Sequence, residues 1–154
     1  MQGKHVIALL LVLVALVPSL AIAGSSRPSS TVMTIGKAAG LKMVDADHSG
    51  KPSAGDYEIG KTTLVDPATD TTIGHSVVNC TILNSGGTEF LCSGYNQLRG
   101  GEVVLAGHFS VLSKTYRLAI VGGTGEYAGA RGWETGTWLD AKFTKVRIVD
   151  TFTS

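Results

Sequence analysis

The chain is poor in charge. Asp, Glu, Lys and Arg make up 16% of its 154 residues, with 13 basic against 12 acidic side chains and no basic block. That balance lacks the electrostatic footprint of a nucleic-acid-binding protein or of a polybasic membrane binder. Metal-ligand patterns are missing as well. There is no H-E-x-x-H, and His48, His75 and His108 do not pair at ligand spacing. No G-x-S-x-G marks a nucleophile elbow. Long helical windows are absent after the N-terminal apolar run, and 20 scattered glycines oppose them. Those glycines follow no G-X-Y period, so the chain is not collagenous. A hydrophobic content of 44% is too high for disorder, and the length allows one domain.

What is present begins with a leader. Met1 to Ala23 reads as a cleavable secretory signal peptide. Lys4 supplies the positive start, Val6 to Val17 the apolar stretch, and Ala21-Ile22-Ala23 the small-x-small cleavage pattern. The stretch falls short of the ~20 residues of a membrane span. Cleavage would remove one lysine and no acid, leaving a mature chain of zero formal net charge that is soluble and secreted. Gly24 to Ser30, Ser-rich with Pro28, reads as a loose tail ahead of a single domain over residues 31–154. Export gives meaning to the two cysteines, Cys80 and Cys92. They flank the turn signal Asn84-Ser85-Gly86-Gly87, which suggests a disulfide across a hairpin; two buried free thiols are the alternative.

The rest alternates with period two. Val103, Leu105, Phe109 and Val111 form one set against Glu102, Ala106, His108 and Ser110. Tyr116, Leu118 and Ile120 oppose Thr115, Arg117 and Ala119. Strands are expected near 32–35 or 41–45, and at 56–65, 72–83, 88–98, 102–112, 115–121, 132–139 and 142–152. Seven or eight short strands between Gly-rich turns indicate an all-β sandwich or closed barrel.

Three motifs carry bland readings. Gly123-Thr124-Gly125-Glu126-Tyr127-Ala128 fits G-x-G-x-x-A, but no helix can follow through Gly129-Ala130-Arg131-Gly132, so a bulged turn is favoured over a dinucleotide site. Asp45-Ala46-Asp47-His48-Ser49-Gly50, with Asp56 beyond, approaches a calcium loop. Pro52, the missing twelfth-position Glu and the missing helices favour a solvated turn. Asn79-Cys80-Thr81 is a formal glycosylation sequon inside an expected strand.

The segment Ala119-Ile120-Val121-Gly122-Gly123-Thr124-Gly125-Glu126-Tyr127-Ala128-Gly129-Ala130-Arg131-Gly132 resembles the signature of the dirigent and allene oxide cyclase superfamily. In those proteins a strand ends in G-G-[TS]-G, followed by an aromatic and A-R-G. Ser53-Ala54-Gly55-Asp56, Ile73-Gly74 with Cys80, and Gly101 to Gly107 look like further family segments, in family order. The resemblance implies an eight-stranded antiparallel β-barrel with a central cavity that positions a reactive substrate without a metal or organic cofactor. It implies Arg131 as a catalytic anchor, with Asp45 as the candidate acid. The register places Thr62 where the cyclases carry an Asn and Phe109 where they carry a Tyr. Thr62, Phe109 and Tyr127 are thus the expected ligand-binding positions, Gly122, Gly123 and Gly125 a structural turn, and Cys80 the match to the cyclase cysteine.

Three functions stay open. A secreted dirigent-like barrel would bind a small apolar or phenolic substrate, supplied by an external oxidase, and steer its coupling or cyclisation. An allene oxide cyclase-like isomerase would add an acid–base pair in the cavity. A non-catalytic barrel would only bind a ligand or partner. A homo-oligomer is compatible with each. Convergent titratable groups inside the barrel would favour the second, and a filled barrel the third.

Overall fold

A computed structural model describes residues 30–153; the expected leader and nearly all of the expected tail lie outside them. Eight antiparallel strands follow in order and close on themselves: β1 (Ser30–Val44), β2 (Tyr57–Val65), β3 (Thr72–Ile82), β4 (Glu89–Leu98), β5 (Gly101–Ser110), β6 (Thr115–Gly123), β7 (Arg131–Trp138) and β8 (Lys145–Thr153). β1 pairs with both β2 and β8, so the barrel has no free edge. This is the eight-stranded antiparallel barrel that the sequence leads one to expect.

Most strand ends lie within two residues of expectation, and two differences are larger. The stretches 32–35 and 41–45 are not alternatives but parts of one 15-residue strand, interrupted by a register shift between Ala38 and Gly40. Bulges of this kind bend a strand and hide its alternation. The last strand starts at Lys145 rather than at 142. Asp140 holds the preceding turn, accepting from the Lys142 and Thr144 N–H groups at 2.9 and 3.1 Å, while Phe143 takes φ +55°. The turn at Gly122–Gly129 contains a single short 3-10 turn, Gly125–Tyr127, and no helix for a nucleotide phosphate.

The alternation is realised as an inside and an outside. Val103, Leu105, Leu118, Ile120, Val146 and Ile148 point inward and are buried, while His108, Arg117 and Arg147 stay exposed. The Cys80–Cys92 disulfide is present, joining directly opposite residues of β3 and β4. Both cysteines are buried in a cluster with Ile82 and Phe90. Closing that short loop constrains the unfolded chain and stabilises the fold by roughly 2–3 kcal/mol in the chain-entropy view.

Candidate functional site

Among the described residues six polar side chains are buried: Thr34, Asp56, Ser76, Asn96, Glu134 and Asp150. Three of them meet inside the barrel. Asn96 on β4 reaches across the interior. Its Nδ2 donates to Glu134 Oε2 on β7 at 2.7 Å and lies 3.5 Å from Asp150 Oδ2 on β8. Glu134 and Asp150 are direct cross-strand partners, so their carboxyls share one face. Tyr116 on β6 brings its hydroxyl beside Glu134. Its ring lies over Gly136, its own cross-strand partner, in the space a Cβ would occupy.

Two carboxyls this close cannot both ionise cheaply in a dry interior. Burial raises the Asp150 pKa, with the charge of Glu134 adding to it, up to about 8. Burial also raises that of Glu134, opposed by hydrogen bonding from Asn96. Tyr116 is pushed well above its ordinary value, first by burial and then by Glu134. At neutral pH the pair therefore holds a proton and can donate as well as accept. Among the described residues four buried side-chain atoms have no hydrogen-bond partner: Thr34 Oγ1, Asn96 Oδ1 and Asp150 Oδ1 on the inward positions of β1, β4 and β8, and Trp138 Nε1 in the row of aromatic rings that includes Tyr116. Unpaired buried polar atoms are costly and mark places where a polar group can bind.

A concavity of about 450 Å³ opens at the end of the barrel carrying the β4–β5 turn. It is lined by Val32, Thr72, Ile73, Leu98, Arg99 and Tyr127. Two of these lead inward. Val32 is the cross-strand partner of Asp150, and Leu98 is the next inward-facing residue of β4 after Asn96. Tyr127 stacks on Phe152 at 5.6 Å, and its pKa is raised by burial first, then by the charges of Glu126 and Asp150. At the opposite end a row of aromatic rings runs from the disulfide cluster to the rim: Phe90, Phe109, Tyr116, Trp138 and Phe143, with neighbouring centroids 5.1–5.7 Å apart.

The residues singled out in the sequence are not gathered at one place. Tyr127 lines the concavity. Phe109 belongs to the aromatic row at the far end. Thr62 is half-buried, with its methyl over Gly36 inside the barrel. Arg131 is exposed and donates to the Ala130 carbonyl at 2.7 Å. Asp45 lies at the other end, where its carboxylate accepts from the Ser49 and Gly50 N–H groups at 3.1 and 2.8 Å. Neither reaches the Asn96–Glu134–Asp150 group. In the turn, Gly125 has φ +58° and backs onto the Gly100 carbonyl, and Gly123 backs onto the Tyr127 and Glu102 carbonyls. A Cβ on Gly122 would meet nothing.

The calcium-like loop does bring Asp45, Asp47 and Asp56 together, with carboxylate oxygens within 4.8 Å. Their acceptor capacity is largely taken by the loop: Asp56 accepts from the Ala46 and Ser53 N–H groups, and Asp47 from Ser49 and Ser53. Asn79 faces outward on β3.

The sequence reading missed Asn96, Glu134 and Asp150, and took Tyr116 only as part of an apolar face. One signal existed. Asp150 continues the series Val146, Ile148 at period two, so a charged group stood in an inward position.

No protein-family model matches the sequence, and no curated protein is similar to it at the sequence level. Similar solved structures exist. A pyocyanin demethylase is 22% identical, with a TM-score of 0.67 over 79% of this chain and 99% of that one. The pterocarpan synthase dirigent protein PsPTS1 is 13% identical, with a TM-score of 0.70 over 83% of this chain and 96% of that one. AbnU, an exo-specific intermolecular Diels-Alderase, is 16% identical, with a TM-score of 0.62 over 82% and 98%. The chain has the eight-stranded barrel fold of the dirigent proteins, shared with the barrel cyclases.

Proposed function

We propose that the protein is an exported stereo-directing barrel. It binds a small apolar or phenolic substrate in the Tyr127 concavity and guides its cyclisation or coupling with the help of the buried acid pair. The observation that carries this reading is the convergence of Glu134 and Asp150 on one inner face beside Asn96, where burial and the neighbouring Glu134 raise the Asp150 pKa to about 8. A neutral carboxyl in a dry site can donate to an oxygen on which negative charge develops. Glu134, held by Asn96, can take a proton released at another atom of the same substrate, so no net proton is consumed. Tyr127, Leu98 and Val32 supply an apolar wall that fixes one face of the substrate. The fold's other users include ring-forming and stereospecific catalysts, which supports the reading. The disulfide suits an exported protein.

Between steering and proton transfer, the acid pair favours an isomerase-like role. The test uses two substrate sets. One is a phenol coupled by an added one-electron oxidase; the other is a panel of phenolic precursors that cyclise slowly unaided. Products are resolved by chiral chromatography. Enantiomeric excess with the wild type, lost in Asp150→Asn, is expected. Racemic products at unchanged rates in both sets, with no binding by calorimetry, would overturn the proposal.

A further inference from the structure

Among the described residues the lining of the concavity holds one fixed charge, Arg99, with no carboxylate within ion-pair distance. Arg99 sits on the two-residue β4–β5 turn, whose second residue, Gly100, has φ +96°. Among the described residues the ion pairs are Lys37–Asp70 and His108–Glu89, so Arg99 has no carboxylate partner. The nearby Glu126 side chain packs over Gly100 instead. The remaining lining is Val32, Thr72, Ile73, Leu98 and Tyr127, which is mainly apolar. A guanidinium over such a surface suits a ligand with an apolar body and an anionic group.

Deeper in the barrel, one inward position along β4 from Leu98, Asn96 sets a second requirement. Asn96 Oδ1 is a buried acceptor without a donor, since its Nδ2 is turned to the carboxyls. The ligand group that reaches it must therefore carry an O–H or N–H. A bare carbonyl or an ether would leave Asn96 Oδ1 unsatisfied.

Resting on the function proposed above, we infer that the substrate is a small apolar hydroxy- or amino-carboxylate, with its anionic group on Arg99 and its neutral donor group at Asn96, Thr34 and Asp150. The two ends make opposite demands, because the Glu134–Asp150 pair repels an anion while Arg99 attracts one. Orientation in the barrel follows from that difference.

The experiment measures binding alone, so it is independent of turnover. Calorimetry compares 3-(4-hydroxyphenyl)propionate, its amide and its 4-methoxy ether, each with wild type and Arg99→Gln. The acid is expected to bind the wild type about tenfold more tightly than the amide, a preference that weakens with salt. Arg99→Gln is expected to erase that preference while leaving the amide unchanged. The methoxy ether is expected to bind more weakly than the phenol in both proteins. Equal binding of acid and amide by the wild type, or no binding of any probe at millimolar concentration, would overturn the inference. So would a preference that survives in Arg99→Gln. Enantiomeric excess in the coupling or cyclisation assay, without an Arg99-dependent acid preference, would refute the substrate class and leave the function standing.

Discussion

Asn96 Nδ2 lies 2.7 Å from Glu134 Oε2, a hydrogen bond that ties β4 to β7 across the barrel interior. It is one of the few bonds that favour the charged form of a carboxyl otherwise disfavoured by burial. Asn96→Ala should therefore push the Glu134 and Asp150 pKa values further up. It should also cost at least about 1–3 kcal/mol at neutral pH, the range for leaving a buried acceptor without its donor, which is larger for a charged one. Denaturant midpoints and a pH titration of the variant check both effects. A midpoint equal to that of the wild type would show that the bond contributes nothing.

Much of the barrel was legible in the sequence because alternation survives wherever a strand is regular, as in Thr115 to Ile120. It failed in β1, where a bulge between Ala38 and Gly40 splits one strand into two apparent fragments. The cysteine pair was legible because the turn at Asn84–Gly87 sets the cysteines opposite each other. The acid pair was not, because Glu134 and Asp150 are 16 positions apart in the chain and meet only through the β7–β8 register. Family resemblance pointed to Arg131 and Asp45, both near turns where glycine and aspartate serve the backbone. The groups that converge inside lie mid-strand, where a single charged residue in an apolar series is easily read as a surface residue.

Gly136 and Tyr116 form a matched pair. A methyl group on Gly136 would occupy the position of the Tyr116 ring, which lies between Phe109 and Trp138. Gly136→Ala should expel that ring from its place beside Glu134 and cost about 1–3 kcal/mol, as overpacking does. Near-ultraviolet circular dichroism should lose part of its aromatic signal. If Gly136→Ala leaves both the spectrum and the denaturant midpoint unchanged, the ring is not seated there.

The glycine turn offers an internal control. Gly125 combines φ +58° with close approach to the Gly100 carbonyl, whereas Gly122 has open space around it. Gly125→Ala should cost more than the ~1 kcal/mol usual for a compatible glycine site. Gly122→Ala should be nearly neutral. Equal midpoints for the two variants would contradict the assignment of strain to Gly125.

The acid pair should give stability an unusual pH dependence. The folded pKa of Asp150, about 8, stands above its ordinary 3.8. Stability from the neutral carboxyl is then complete below about pH 4 and is lost as pH rises toward 8, with a slope of at most about 1.4 kcal/mol per pH unit for one proton. Asp150→Asn, which stays neutral, should flatten that limb in denaturant melts taken from pH 4 to 9. A limb that is equally steep in the variant would assign it to other groups.

The most direct measurement is a carbon-13 NMR titration of the Asp and Glu side-chain carboxyls, with Asp150→Asn and Glu134→Gln for assignment. One carboxyl that keeps its proton through neutrality and titrates near pH 8 is the expected result, with the second responding to the same step. If both carboxyls complete their titration below about pH 5, where ordinary carboxylates do, the barrel holds no proton to donate. The catalytic reading of the Asn96–Glu134–Asp150 group would then be wrong.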